Sequence, residues 1–113
     1  IMVFDVNTVY KHQQVLANNT FVYDEKNVFC VWQNNLYDDG VTVGINLDFF
    51  VKDDKNKYNR FTESFKEIAF TDDEITNAVE NAGFKVVKRY AEFSCSKPKE
   101  DTQRAYYVIR REY

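Results

Sequence analysis

The chain has 113 residues, a formal net charge of −3, 44% hydrophobic residues, 17% aromatic and 29% charged. This is the composition of a globular domain and excludes a disordered, fibrous or disulfide-framework chain. A domain of this size buries about two-thirds of the surface its unfolded chain exposes, so its 10 Phe, 8 Tyr and single Trp must supply much of the core.

Ile1 to Val6 is an apolar run broken only by Asp5, and it predicts a strand buried from its first residue, as if the chain began inside a larger sheet. Thr8 to Ala17 places Val9, Val15 and Leu16 at weak helical spacing before the Asn18-Asn19 stop, which predicts a short helix with His12 on its surface. Val28 to Trp32, the Tyr37-Asp38-Asp39-Gly40 turn and Val41 to Phe49 predict a hairpin. In its second strand every odd position is apolar, and Thr42, Gly44, Asn46 and Asp48 take the even ones. A second turn over residues 52–57 leads to Tyr58 through Phe70. There Phe61, Glu63, Phe65 and Glu67 share one face, and Arg60, Thr62, Ser64, Lys66 and Ile68 share the other, extending the hairpin to a meander of three or four strands. Thr71-Asp72-Asp73-Glu74 has the spacing of a capping box. Ile75, Ala78, Val79 and Ala82 form the apolar stripe of a helix that Gly83 stops. Phe84 to Phe93 and Arg104 to Glu112 predict two further strands, joined by an exposed loop.

Charge is unevenly distributed. Residues 1–84 hold 14 acidic and 7 basic side chains, and residues 85–113 hold 4 and 8. The basic segment, with Tyr90, Tyr106 and Tyr107, is compatible with stacking on bases, but the acidic whole argues against affinity built on neutralised phosphates. Solvated sheet edges are the plainer reading, and nucleic acid is not the expected partner. Two cysteines, Cys30 and Cys95, no secretory pattern and no run of about 18 apolar residues lead us to expect a cytoplasmic protein without a membrane partner.

No phosphate-cradling glycine motif and no nucleophile elbow is present, and His12 is the only histidine. Metal and covalent catalysis are therefore not expected. Glu63 and Glu67 would stand about 13 Å apart at strand rise, wide for a paired acid and base. Trp32, Tyr58 and Phe61 are candidates either for an apolar pocket wall or for ordinary core.

The opening I-M-V-F-D-V-N-T-V-Y-K resembles the fifth strand of class I S-adenosylmethionine-dependent methyltransferases and its continuation. R-F-T-E-S-F-K-E-I-A-F-T-D-D-E-I-T-N-A-V-E-N-A-G-F-K-V-V is similar to their passage from a meander strand through a capped helix and A-G-F to the next core strand. N-V-F-C-V-W-Q-N resembles an antiparallel insertion in a bacterial branch of small-molecule methyltransferases. The resemblance spans nearly the whole chain through the order of these motifs, each of which is only moderately specific. It implies an α+β fragment, a C-terminal portion in which residues 1–17 and 71–113 belong to the Rossmann-like methyltransferase core. Residues 18–70 would form an antiparallel β insertion serving as substrate lid. The glycine-rich turn and acidic residue with which the family holds S-adenosylmethionine are missing, so the cofactor would be bound mainly by an N-terminal half, the fragment's partner. The fragment alone would be inactive, and the parent would methylate an N or O atom of a small-molecule acceptor.

Asn7 and Tyr10 follow the first strand at the end where open α/β sheets bind ligands. They are candidates for acceptor binding, with helix capping by Asn7 or Thr8 and packing by Tyr10 as alternatives. Trp32, Arg60 and Glu63 are the candidates on the insertion, and Arg60 also reads as an exposed charge. The competing function is an independent β-rich interaction or ligand-binding module without catalysis.

Overall fold

The computed structural model describes residues 1–112 and is a mostly β, α+β fold whose sheets are antiparallel. The elements are β1 (Met2–Asn7), a π-helical segment (Lys11–Leu16), β2 (Thr20–Asp24), β3 (Val28–Leu36), β4 (Thr42–Lys52), β5 (Tyr58–Ile68), α1 (Asp72–Asn81), β6 (Phe84–Ala91) and β7 (Arg104–Arg111). Composition alone suggested one core, but the chain divides into two compact units, Ile1–Gln14 with Ala69–Tyr113 and Val15–Ile68. Each unit has its own apolar cluster.

The first unit is a three-stranded sheet in the order β1-β7-β6, with β7 antiparallel to both neighbours. Val79, Ala105, Tyr107 and Ile109 form its buried cluster, and Phe4, Val6, Ile75, Phe84 and Val86 pack against them. The helix α1 begins as its sequence requires: the Thr71 hydroxyl accepts from the Glu74 N–H, and the Glu74 carboxylate accepts from the Thr71 N–H. Gly83, at φ 86°, turns the chain out of the helix in the left-handed region where a side chain is disfavoured.

Two expectations fail in this unit. Ile1, Met2 and Val3 are 95%, 52% and 61% exposed rather than buried, because β1 pairs with β7 along one edge and with no other strand among the described residues. His12, expected on a helix surface, is 1% exposed. The His12 N–H bonds back to the Thr8 carbonyl at 3.3 Å, so the chain coils there and the His12 side chain is buried.

In β6 the ladder slips by one residue between Val86 and Lys88. This bulge resets the alternation. Phe84 and Val86 face the helix side, and beyond the bulge Arg89, opposite Tyr107, takes that side in place of Lys88. Arg89 thereby reaches the first turn of α1. Its Nε donates to Asp72 Oδ1 at 2.7 Å and its Nη2 to the Thr76 hydroxyl at 2.8 Å. The Tyr107 hydroxyl donates to the same Asp72 oxygen at 2.7 Å. Burial, and then the hydrogen bond and charge of Asp72, push the Tyr107 hydroxyl well above the ordinary tyrosine range.

The second unit is the meander β2-β3-β4-β5. Its register pairs Ile45 with Phe65, Leu47 with Glu63 and Phe49 with Phe61. This places the apolar residues of β4 and the aromatic ones of β5 on one face, as the alternation predicted. Leu16, Val43 and Ile45 form the buried centre of that face, with Phe21, Trp32, Leu36 and Leu47 around them. The short edge strand β2 was not foreseen as a strand: five residues with Phe21, Val22 and Tyr23 in succession show no alternation.

Replacing Tyr107 with Phe keeps the ring, stacked on Phe4 at 5.3 Å between centroids, and removes only the bond to Asp72. Denaturation followed at the α1 helix signal should show a loss of about 1–2 kcal/mol.

Candidate functional site

The first unit contains a cavity of about 830 Å³, within the size range of small-molecule sites. It lies past the carboxyl ends of β1 and β6. Val6, Val9, Ile75, Ala105 and Tyr107 contribute apolar lining, and Tyr10 and Phe70 add two partly exposed rings. The first turn of α1 contributes Thr71 and Asp72. The loop after β6 contributes Cys95, Lys97, Pro98, Lys99 and Glu100. Val87, the bulged residue, is also on the lining.

The loop is tied to the sheet at both ends. Glu92 accepts the N–H groups of Gln103 and Arg104 at 3.4 and 3.0 Å. Burial would raise its carboxyl, yet these backbone bonds, with the charge of Lys11, hold it below the usual glutamate range. Within the loop the Lys99 N–H donates to the Thr102 hydroxyl at 2.8 Å. Thr8 links the loop to the end of β1: its hydroxyl donates to the Thr102 carbonyl, its N–H donates to the Gln103 carbonyl at 2.9 Å, and its oxygen accepts from the Lys11 N–H at 3.1 Å. Capping of the short helical segment therefore falls to Thr8, one of the two caps foreseen.

Of the sequence candidates in this unit, Tyr10 lines the cavity and Asn7 does not. Phe4 and Val6 pack on the helix side, so alternation turns Asn7 to the other face of the sheet. There its Oδ1 is buried with no hydrogen-bond partner, an acceptor left open at the carboxyl end of β1.

On the meander, Trp32 belongs to the apolar cluster. Its ring lies 5.1 Å from Phe21 and 6.3 Å from Tyr23, and its Nε1 donates to Asn34 Oδ1 at 2.7 Å. Trp32, Leu47 and Glu63 form one cross-strand row, so Trp32 and Glu63 share a face, on which Glu63 is exposed. Phe61 lies on that face and Tyr58 on the opposite one, which sets Tyr58 apart from the other two aromatics considered for a pocket. Arg60 also takes the opposite face. Its Nε and Nη2 donate to Asp48 Oδ1 at 3.2 and 2.9 Å, and its guanidinium lies 5.8 Å from the Phe50 ring centre. Asp48 also accepts from the Thr62 hydroxyl at 2.7 Å and the Asn46 amide at 3.0 Å. These bonds, the one from Thr62 foremost and those from Arg60 next, hold its carboxyl below the usual aspartate range.

Residue-by-residue reading named Thr8 only as a cap and missed its bond to Thr102, 94 residues away. It also missed the lining role of Arg89, Lys97 and Lys99, to which the basic excess after residue 84 was the available signal. Among the described residues no group of His, Cys, Asp and Glu side chains could hold a metal ion, and no helix is long and apolar enough to cross a membrane.

No protein-family profile matches the chain. It is 26% identical over 111 residues to "Putative methyltransferase YqeM" of Bacillus subtilis (strain 168), covering 98% of this chain and 44% of that protein. Among solved structures it is similar to an S-adenosylmethionine-dependent methyltransferase from Clostridium acetobutylicum ATCC 824, at 33% identity and a TM-score of 0.84, covering 96% of this chain and 43% of that one. The CcbJ methyltransferase from Streptomyces caelestis, at 12% identity, shares the fold with a TM-score of 0.73 over 96% of this chain and 45% of its own. The likeness is thus to methyltransferases, and the chain spans less than half the length of each. These matches are consistent with a C-terminal portion of a class I S-adenosylmethionine-dependent methyltransferase.

A carboxyl held low in the folded state binds its proton less readily than in the unfolded chain. The stability due to Asp48 is therefore fully present above the unfolded pKa and is lost as pH falls through the depressed folded one. Trp32, the single tryptophan, reports the meander. Its fluorescence should show stability falling as the pH drops below the ordinary aspartate range, with a shallower fall in Asp48→Asn.

Proposed function

We propose that this chain is the acceptor-binding portion of an S-adenosylmethionine-dependent methyltransferase that acts on an N or O atom of a small molecule. In this reading residues 1–17 and 71–113 form the C-terminal part of the core sheet and residues 18–70 are the substrate lid. The observation that carries it is the order β1-β7-β6 with β7 antiparallel to both neighbours, in a chain 33% identical over nearly its whole length to part of a methyltransferase structure. The unpaired edge of β1, with Ile1, Met2 and Val3 exposed, is where the remaining strands of such a sheet would add.

The residues of this chain do not fit the cofactor. Its three glycines stand at positions 40, 44 and 83, none of them following β1, so no glycine-rich turn opens here for a nucleotide. The cofactor would be held by another part of the enzyme, and this fragment by itself would be inactive. What these residues can supply is an apolar, partly enclosed cavity that fixes the acceptor's orientation and excludes water, which is the main demand of a direct displacement. Tyr10 is the wall residue; Asn7 lies on the opposite face of the sheet with its Oδ1 buried and is not part of this cavity. Trp32, Arg60 and Glu63 would belong to the lid, with Trp32 bracing its core, Arg60 holding the opposite face through Asp48, and Glu63 the most available of the three for contact with substrate. The expected setting is the cytoplasm.

Calorimetric titration with S-adenosylmethionine tests this division. The 113-residue chain should give no saturable binding and the full-length protein should give it, together with release of S-adenosylhomocysteine when an acceptor is present. Saturable binding by the short chain would overturn the assignment of cofactor binding to another segment.

The second reading, an interaction module without catalysis, draws on β5, where Phe61 and Phe65 are 56% and 43% exposed along an edge strand. It predicts self-association or partner capture through that edge and no S-adenosylhomocysteine release from the full-length protein.

A further inference from the structure

We infer that the cavity of the first unit takes an acceptor bearing an oxyanion, carboxylate or phosphate, on an apolar body, with Arg89, Lys97 and Lys99 holding the charged end. The inference rests on reading this cavity as the acceptor pocket.

The chain as a whole is acidic, yet cations predominate on this lining. Arg89, Lys97 and Lys99 face two carboxylates there, Asp72 and Glu100. Asp72 and Arg89 are ion-paired with each other, so the positive excess of the lining is that of Lys97 and Lys99 over Glu100. Lys88 also borders the cavity, but the register turns it to the other face, where its ammonium lies 6.0 Å from the Tyr90 ring centre, so it is not counted. Lys97 and Lys99 have no ion pair among the described residues.

Arg89 adds hydrogen-bond donors to the charge that the two lysines supply. A guanidinium carries five N–H donors in a fixed fork. Here Nε goes to Asp72 and one Nη2 bond goes to Thr76, leaving donors for a ligand. Its side chain is 34% exposed, so those donors are accessible from the cavity.

The two lysines flank Pro98, which also lines the cavity, on a loop pinned by Thr102, Thr8 and Glu92. Lysines held on an anchored loop lose less freedom on meeting an anion than lysines on a free one. Ammonium groups serve as point charges for phosphate and carboxylate. A neutral ligand would leave this excess of cations unanswered, and a cationic one would be repelled. The rest of the lining, with Val9, Ile75, Ala105 and the rings of Tyr10 and Phe70, suits the apolar body.

The test uses the full-length protein without S-adenosylmethionine, titrated with benzoate, phenyl phosphate and, as uncharged control, benzyl alcohol, with the amides of residues 95–100 followed by NMR. At least one oxyanion should bind about tenfold more tightly than benzyl alcohol and shift those amides. The stronger of the two oxyanions distinguishes a carboxylate acceptor from a phosphate one. The double variant Lys97→Gln, Lys99→Gln removes charges that have no ion pair among the described residues and should weaken oxyanion binding about tenfold, while Glu100→Gln should strengthen it. The inference is overturned if benzyl alcohol matches both oxyanions, or if the double variant binds them as tightly as the unaltered protein. Because no methyl donor is present, this outcome is separate from S-adenosylhomocysteine release, which tests the methyltransferase reading itself.

Discussion

The carboxylate of Asp72 ties the first unit together through one oxygen that takes hydrogen bonds from the Tyr107 hydroxyl and the Arg89 guanidinium. Tyr107 lies in the buried cluster with only 3% of its surface exposed, so its hydroxyl has to find a partner inside the protein or incur the cost of an unsatisfied polar group. Asp72 satisfies it from the first turn of α1, where negative charge is also favoured by the helix dipole. Arg89 can join only because the bulge at Val87 shifts the alternation of β6 by one residue. The helix start, the bulged strand and the central strand β7 are thus fixed to each other at one carboxylate, and the cavity opens beside it.

The meander answers the same requirement differently. One face buries Val43, Ile45 and Leu16 and needs no polar partner. The other is organised around Asp48, which receives Arg60, Thr62 and Asn46. Gly44 lies on that face beneath Tyr37, whose ring carbon would stand 3.1 Å from any added Cβ. The Lys66 ammonium approaches the same ring at 5.0 Å from its centre. A glycine in mid-strand usually weakens a strand; this one gives the tyrosine its space.

The cavity belongs to the end of the sheet where β1 and β6 finish, and residues distant in sequence are brought to it by the antiparallel return of β7. Tyr10, the first turn of α1 and the pinned loop after β6 meet there. The lining combines apolar side chains with Arg89, three lysines and the carboxylates of Asp72 and Glu100.

Local pattern in the sequence determined the α1 capping box, the β4–β5 alternation that puts Phe61 and Glu63 on one face and Arg60 on the other, the two C-terminal strands, and the concentration of basic residues after position 84. Each of these rests on neighbours within a turn or a strand, where periodicity and hydrogen-bonding geometry are local. The ordered motifs also carried the methyltransferase resemblance. Tertiary structure alone decided the exposure of Ile1 to Val3, the burial of His12, the bulge that delivers Arg89 to Asp72, and the turning of Asn7 away from the cavity that Tyr10 lines. It also decided that Thr8 would hold a loop 94 residues away. These outcomes depend on which edge finds a partner and which distant group meets a buried polar atom, and the spacing of residues along a chain does not contain that information.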